Sequence, residues 1–139
     1  MRNIISILMF FVLSSFSYAQ SENLTCLDFS KGEFRNVDEN SNLSSIIVRS
    51  GIRQLEVIDG VESYKKIQWL NDCNYVLFFT DKDAFKDPFK KLVNKNGGIS
   101  VVMKKIEGSI FYYETYYFDG KREVKGQGRI IKISKKASF

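Results

Sequence analysis

The sequence predicts an all-β domain: an antiparallel meander of about eight strands that forms a lipocalin-like barrel or curled sheet, with one short helix near residues 87–96. Beyond the N-terminal apolar run, short apolar segments alternate with turn dipeptides, which is typical of all-β domains. Two of these dipeptides, Asp59-Gly60 and Asp119-Gly120, lie where a type I′ hairpin needs positive φ. Barrel closure would also remove sheet edges that could pair with other chains. A two-sheet sandwich is the alternative.

The apolar segments place the eight strands in order along the chain. They are expected near residues 33–37, 45–49, 53–58, 61–70, 75–80, 99–106, 110–118 and 122–133. A strict two-residue turn at Asp59-Gly60 puts apolar side chains on both faces of its hairpin. Either a bulge therefore shifts the register there, or both faces are covered.

The last two hairpins predict one shared buried face. A two-residue loop at the second turn dipeptide places Phe111 and Tyr113 opposite Gly128 and Gly126, where a ring can cover backbone that lacks a side chain. A three-residue loop at 107–109 continues this face onto the preceding strand.

One segment departs from the strand pattern. Asp87 followed by Pro88 is a helix start, Leu92 and Val93 give it one apolar stripe, and Gly97 ends it. We expect this short helix to pack over an open end of the sheet.

The N-terminus predicts export. Arg2 precedes an apolar run at 4–16, and the small residues Ser17 and Ala19 follow it, which is the pattern of a secretory signal peptide cleaved after Ala19. The run is shorter than the roughly 20 residues that span a membrane, and a retained N-terminal anchor is the alternative. The expected organisation is a signal peptide at 1–19 and one β-rich domain at 20–139, periplasmic or secreted, with no transmembrane segment after cleavage.

The two cysteines predict one disulfide. Cys26 and Cys73 form an even pair in a chain expected to reach an oxidising compartment. Closing a loop of this length stabilises a domain by roughly 4 kcal/mol in the chain-entropy model. Haem or bilin attachment, metal binding and thiol catalysis are alternatives that the absence of histidine and of C-x-x-C disfavours.

A longer pattern around these cysteines resembles a group of small exported proteins of Bacteroidetes, flavobacteria in particular. Its parts are Cys26-x-x-Phe29-x-x-Gly32-x-Phe34, Ile47-Val48-Arg49, Gln54-x-Glu56 and Trp69-x-x-Asp72-Cys73-x-Tyr75-x-Leu77. The resemblance implies export and a disulfide between the two cysteines. Some members carry the label DNA topoisomerase IV, but a mature domain of this size has no room for ATPase and cleavage machinery. The resemblance therefore implies no activity.

The composition argues against an enzyme. Without histidine, Ser-His-Asp and Cys-His nucleophile arrangements and His-based metal sites are excluded. The chain has no Gly-rich phosphate loop and no EF-hand spacing. Its carboxylates, including Glu56, are spread over turns and solvent-type positions and are interpreted as surface charge. We expect no catalytic residue, no cofactor and no metal.

Aromatic residues support the first functional hypothesis. Rings crowd both faces of the strand at 110–118, so one face is core and the other could line a cavity. The candidate lining residues are Phe111, Tyr113, Trp69 and Met103. The hypothesis is a non-enzymatic lipocalin-like domain that holds a small apolar or amphipathic ligand. Ordinary core packing of these rings is the alternative.

Basic residues support the second hypothesis. Residues 119–139 carry seven basic and two acidic side chains. Lys121, Arg122, Lys125, Arg129 and Lys132 are candidates for contact with an anionic surface. The hypothesis is a solid-core envelope module that binds a protein or an anionic surface through this strand. An edge strand whose lysines resist aggregation is the alternative, and no nucleic-acid reader motif accompanies the charge.

Overall fold

The computed structural model describes residues 23–134, which form a closed eight-stranded barrel. Each strand is antiparallel to its neighbours in the chain, and β1 pairs with β8 to close the barrel. The strands are β1 (Gly32–Asp38), β2 (Ser44–Ser50), β3 (Arg53–Ile58), β4 (Val61–Trp69), β5 (Tyr75–Phe79), β6 (Ile99–Glu107), β7 (Ile110–Phe118) and β8 (Glu123–Ser134). The all-β meander is thus confirmed as a lipocalin-like barrel. The predicted signal peptide at 1–19 lies outside the described residues.

The two ends of the barrel differ because alternate connections of a meander lie at opposite ends. The β2–β3, β4–β5 and β6–β7 connections share one end, which we call the closed end. A 3-10 turn (Cys26–Phe29) covers this end. The Leu24 N–H donates to the Gly108 carbonyl at 2.9 Å, and a Cys26–Cys73 disulfide ties the turn to the β4–β5 connection. The predicted disulfide is confirmed.

The hydrophobic core fills the closed half of the barrel. Phe29, from the 3-10 turn, is 1% exposed, and its ring centroid lies 5.7 Å from that of Phe34 and 5.2 Å from that of Phe111. Ile67, Tyr75 and the disulfide sulfurs pack in the same cluster. Burial of these rings contributes to the apolar stabilisation of the domain.

The remaining four connections lie at the opposite end, which we call the mouth end. The β5–β6 connection there forms two helices, α1 (Asp81–Phe85) and α2 (Pro88–Lys95). The helix predicted at 87–96 is α2, and its Asp87 side chain accepts hydrogen bonds from the N–H groups of Phe89 and Lys90. Val93 anchors α2 in a small second core with Phe79 and Ala84. The helix α1 was not predicted.

Two hairpin turns keep the predicted faces. At the β3–β4 turn, Ile58 pairs with Val61, and positive φ at Asp59 and Gly60 gives a strict two-residue turn without a bulge. At the β6–β7 turn the loop has two residues rather than three. A bulge between Met103 and Lys105 restores the expected register beyond it.

The last hairpin corrects the predicted register by two residues. Phe118 pairs with Glu123, so the loop has four residues rather than two. The Asp119 carboxylate accepts hydrogen bonds from the N–H groups of Lys121 and Arg122, and this Asx turn takes up the two extra residues. Because the shift is even, every side chain keeps its predicted face.

Candidate functional site: a cavity in the mouth half of the barrel

A cavity of about 240 Å³ occupies the barrel interior between the packed closed end and the mouth end. All eight strands contribute to its lining. Toward the mouth it is bordered by the half-buried side chains of Asp38, Thr115 and Tyr117. The interior is therefore packed in one half and open in the other.

Two glycines on β8 leave part of one cavity wall without side chains. Tyr113 lies opposite Gly128, and Thr115 lies opposite Gly126. The Tyr113 hydroxyl crosses this wall and donates to the Asn36 carboxamide oxygen at 2.6 Å. The Tyr113 ring therefore covers backbone that lacks a side chain, as predicted for this face. It lies opposite Gly128, and not opposite Gly126 as the predicted register had it.

Replacing Gly128 with Ala should destabilise the protein by about 1 to 3 kcal/mol. An added Cβ would lie 2.5 Å from the Tyr113 hydroxyl oxygen and 2.6 Å from the Val37 carbonyl oxygen, and the carbonyl belongs to backbone that cannot move alone. Urea unfolding of G128A beside the exposed control K125A measures the effect. Equal unfolding midpoints for the two variants would contradict this tight packing.

The wall formed by β5 and β6 is apolar. Leu77, Ile99 and Val101 present aliphatic side chains to the cavity from neighbouring strands. Ile47 and Ile130 add aliphatic surface from β2 and β8. This part of the lining can bury the apolar portion of a ligand.

The wall formed by β3 and β4 carries a buried ion pair. The Lys65 ammonium donates to a Glu56 carboxylate oxygen at 2.8 Å, and the Ser45 hydroxyl donates to the other carboxylate oxygen at 2.8 Å. Burial alone would raise the pKa of Glu56, but the Lys65 charge, these hydrogen bonds and the Arg49 charge together hold it below its ordinary value. Glu56 is therefore ionised at neutral pH.

A buried arginine forms the floor of the cavity. Arg49 is 1% exposed and donates to the Gln54 carboxamide oxygen at 2.9 Å, to the Phe29 carbonyl at 2.9 Å and to the Tyr75 hydroxyl. Its guanidinium carbon lies 4.6 Å from the Tyr75 ring centroid and 6.0 Å from that of Trp69. These acceptors are uncharged, so Arg49 brings a positive charge to the cavity floor while it holds the 3-10 turn in place.

The hydroxyl of Tyr113 is a neutral hydrogen-bonding group. Burial, together with the neighbouring Tyr75, raises the pKa of Tyr113 far above that of a free phenol. It therefore stays protonated over the physiological range, and it adds a polar contact on the side of the cavity nearest β8 and β1.

The structure separates the four residues predicted to line a ligand site. Tyr113 borders the cavity. Phe111 is 1% exposed in the core of the closed half, and Met103 and Trp69 pack against that core. Trp69 packs against Tyr75 with the ring centroids 4.8 Å apart and the ring planes tilted by 55°, and its indole N–H donates to the Gly51 carbonyl at 3.3 Å. Three of the four thus lie in the packed half of the barrel.

Sequence reasoning missed the polar lining. Glu56 is predicted to lie on the surface, and no site role is predicted for Arg49, but both side chains point into the barrel. The alternation of side chains along β4 does indicate that charged residues face the interior. Lys65 lies two residues before Ile67, on the same face, and the register pairs it with Gln54.

The predicted basic surface is divided among three places. Lys121 and Arg122 lie in the β7–β8 turn at the mouth end. Lys125 and Arg129 lie on β8, 3.8 Å from Glu114 and 3.9 Å from Glu39 respectively. The Lys132 ammonium donates to the Asp28 and Lys31 carbonyls near the closed end. The five side chains therefore do not form one continuous patch.

Within residues 23–134, no three Cys, Asp or Glu side chains are grouped closely enough to hold a metal ion. In the same residues, no helix has the length and apolar character needed to cross a membrane. Comparison of the chain with protein-family models, with curated proteins and with solved structures finds no match.

Proposed function

We propose that this protein is an exported, non-enzymatic binding protein whose barrel holds a small amphipathic molecule in the mouth-half cavity. The observation that carries the proposal is the 240 Å³ cavity itself, which lies beside a well-packed closed end in the same barrel. A solid interaction module would fill both halves with side chains. Small eight-stranded barrels can hold one small ligand in this position.

The size of the cavity limits the ligand. A cavity of roughly 150 Å³ with apolar walls binds benzene. A space of about 240 Å³ therefore suits a molecule somewhat larger than one aromatic ring, or a short acyl chain. Export is supported by the disulfide, since such bonds persist in oxidising compartments.

The lining supports an amphipathic ligand. An apolar portion would lie against Leu77, Ile99 and Val101, while a polar group would face the Glu56–Lys65 pair and Tyr113. Each of these three groups already has a protein partner, so the ligand is expected to add hydrogen bonds to them.

Native mass spectrometry of protein purified from the periplasm of an expression host tests the proposal. We expect extra mass under native conditions that disappears on denaturation. V101F adds a ring inside the cavity and should abolish the extra mass. V102F is the matched control, because Val102 is the neighbouring residue, is 36% exposed and points outward.

Two results would count against the proposal. Extra mass retained in V101F would place the bound molecule outside the barrel. Extra mass lost equally in V101F and V102F would show that the site is not the cavity.

A further inference from the structure

We propose that the mouth end of the barrel docks on an anionic lipid surface through a patch that we call the helical rim. The helical rim consists of α1, α2 and the β7–β8 turn at 119–122. Of the five basic residues that the sequence singled out, this surface includes Lys121 and Arg122 and leaves out the three on β8. The proposal does not require the cavity to hold a ligand.

Exposed aromatic rings are the first observation. Phe85, at the end of α1, is 73% exposed, and Phe89, in the first turn of α2, is 47% exposed. Phe118, which leads into the β7–β8 turn, is 37% exposed. Large apolar side chains exposed together on one end of a small domain indicate an interaction surface.

Contacts within the described residues show that these parts form one surface. The Phe89 ring meets the Tyr117 ring edge to face at 5.9 Å between centroids. An added Cβ on Gly120 would lie 2.8 Å from a Leu92 methyl carbon, so the β7–β8 turn lies directly against α2. Phe89 and the β7–β8 turn therefore belong to one patch at the cavity mouth.

Charge is the second observation. Residues 81–95 and 119–122 together carry seven cations and four aspartates. Three of the aspartates, Asp83, Asp87 and Asp119, accept hydrogen bonds from backbone N–H groups. The cations Lys82, Lys86, Lys91, Lys95, Lys121 and Arg122 are all exposed.

The combination of rings and cations favours a lipid surface over an acidic protein. Rings that enter the headgroup layer, with lysines around them, are the arrangement by which interfacial segments bind anionic bilayers. The Lys91 ammonium lies 5.4 Å from the Phe85 ring centroid, so apolar and cationic groups alternate over short distances.

Cosedimentation of the purified protein with vesicles tests the proposal. One set of vesicles contains phosphatidylcholine alone, and the other contains phosphatidylcholine mixed with phosphatidylglycerol. We expect binding to the anionic vesicles that weakens as salt is added. F85S should weaken binding about tenfold, because it removes a ring that the bilayer would bury. K86E/K121E should weaken binding by more than tenfold, because it reverses two charges.

Two control variants separate the helical rim from other surfaces. L70S removes a side chain of similar exposure, 61%, at the closed end of the barrel. K125E/R129E makes the same charge change on β8. Both should bind the anionic vesicles as the wild type does, and circular dichroism is used to check that each variant folds.

The proposal is overturned by three results. These are equal binding to both kinds of vesicle, equal binding by F85S and L70S, and a greater loss in K125E/R129E than in K86E/K121E. A greater loss in K125E/R129E would show that β8, and not the helical rim, contacts the vesicles. The absence of wild-type binding to either kind of vesicle is a fourth result that overturns the proposal.

Discussion

Replacing both cysteines with serine is expected to lower the free energy of unfolding by about 4 kcal/mol. The disulfide joins residues 47 apart in the sequence, and a cross-link over a loop of this length removes much of the conformational entropy of the unfolded chain. The double variant C26S/C73S avoids a free thiol. Such a loss is a large share of the stability of a small domain.

The folded state also depends on this bond. Cys26 begins the 3-10 turn that buries Phe29 and supplies the carbonyl to which Arg49 donates. Urea unfolding with the two-state analysis measures the change. An unchanged urea midpoint in C26S/C73S would show that packing alone holds the closed end.

Replacing Glu56 with Gln is expected to cost about 3 kcal/mol, because it leaves the Lys65 ammonium buried without its carboxylate. The two side chains are 16% and 9% exposed. The double variant E56Q/K65M removes the uncompensated charge and should recover most of the loss. E107Q is the matched control, since its partner Lys105 is in a more exposed pair and little change is expected.

The pH dependence of this effect follows from the lowered pKa of Glu56. A carboxyl group whose pKa is lower in the folded than in the unfolded state contributes stability above the unfolded value, about 4.5, and that contribution is lost as the pH falls through the folded value. The difference in unfolding free energy between wild type and E56Q should therefore be full at neutral pH and shrink in acid. A difference that grows below pH 4.5 would contradict the ion pair.

Side-chain alternation and turn chemistry made most of the fold predictable. The strand bounds and the type I′ turn at Asp59-Gly60 follow from local sequence, as do Asp87 and Pro88 at the start of α2. The register of the last hairpin did not follow, because Asp-Gly suits a two-residue loop and the competing Asx turn of Asp119 depends on how the flanking strands meet.

The site was less predictable because its polar residues break the usual rule for barrel interiors. Arg49 and Lys65 are buried with their partners, whereas charged side chains are mostly found on surfaces. The alternation of side chains along β2 and β4 places both residues inside the barrel, whereas their charge favours a place on the surface. The sequence indicated that Gly126 and Gly128 face side chains of β7, but the two-residue error in register assigned them Tyr113 and Phe111 instead of Thr115 and Tyr113.

Titration of the ¹⁵N-labelled protein with octanol, octanoate and octylamine, followed by NMR, tests the central claim that the cavity binds a small amphipathic molecule. The three compounds share one chain and differ in the charge of the polar group. We expect at least one of them to shift the amide signals of Leu77, Val101 and Lys65, with no such shifts in V101F. Shifts confined to outward-facing residues, or none with any of the three compounds, would contradict the claim.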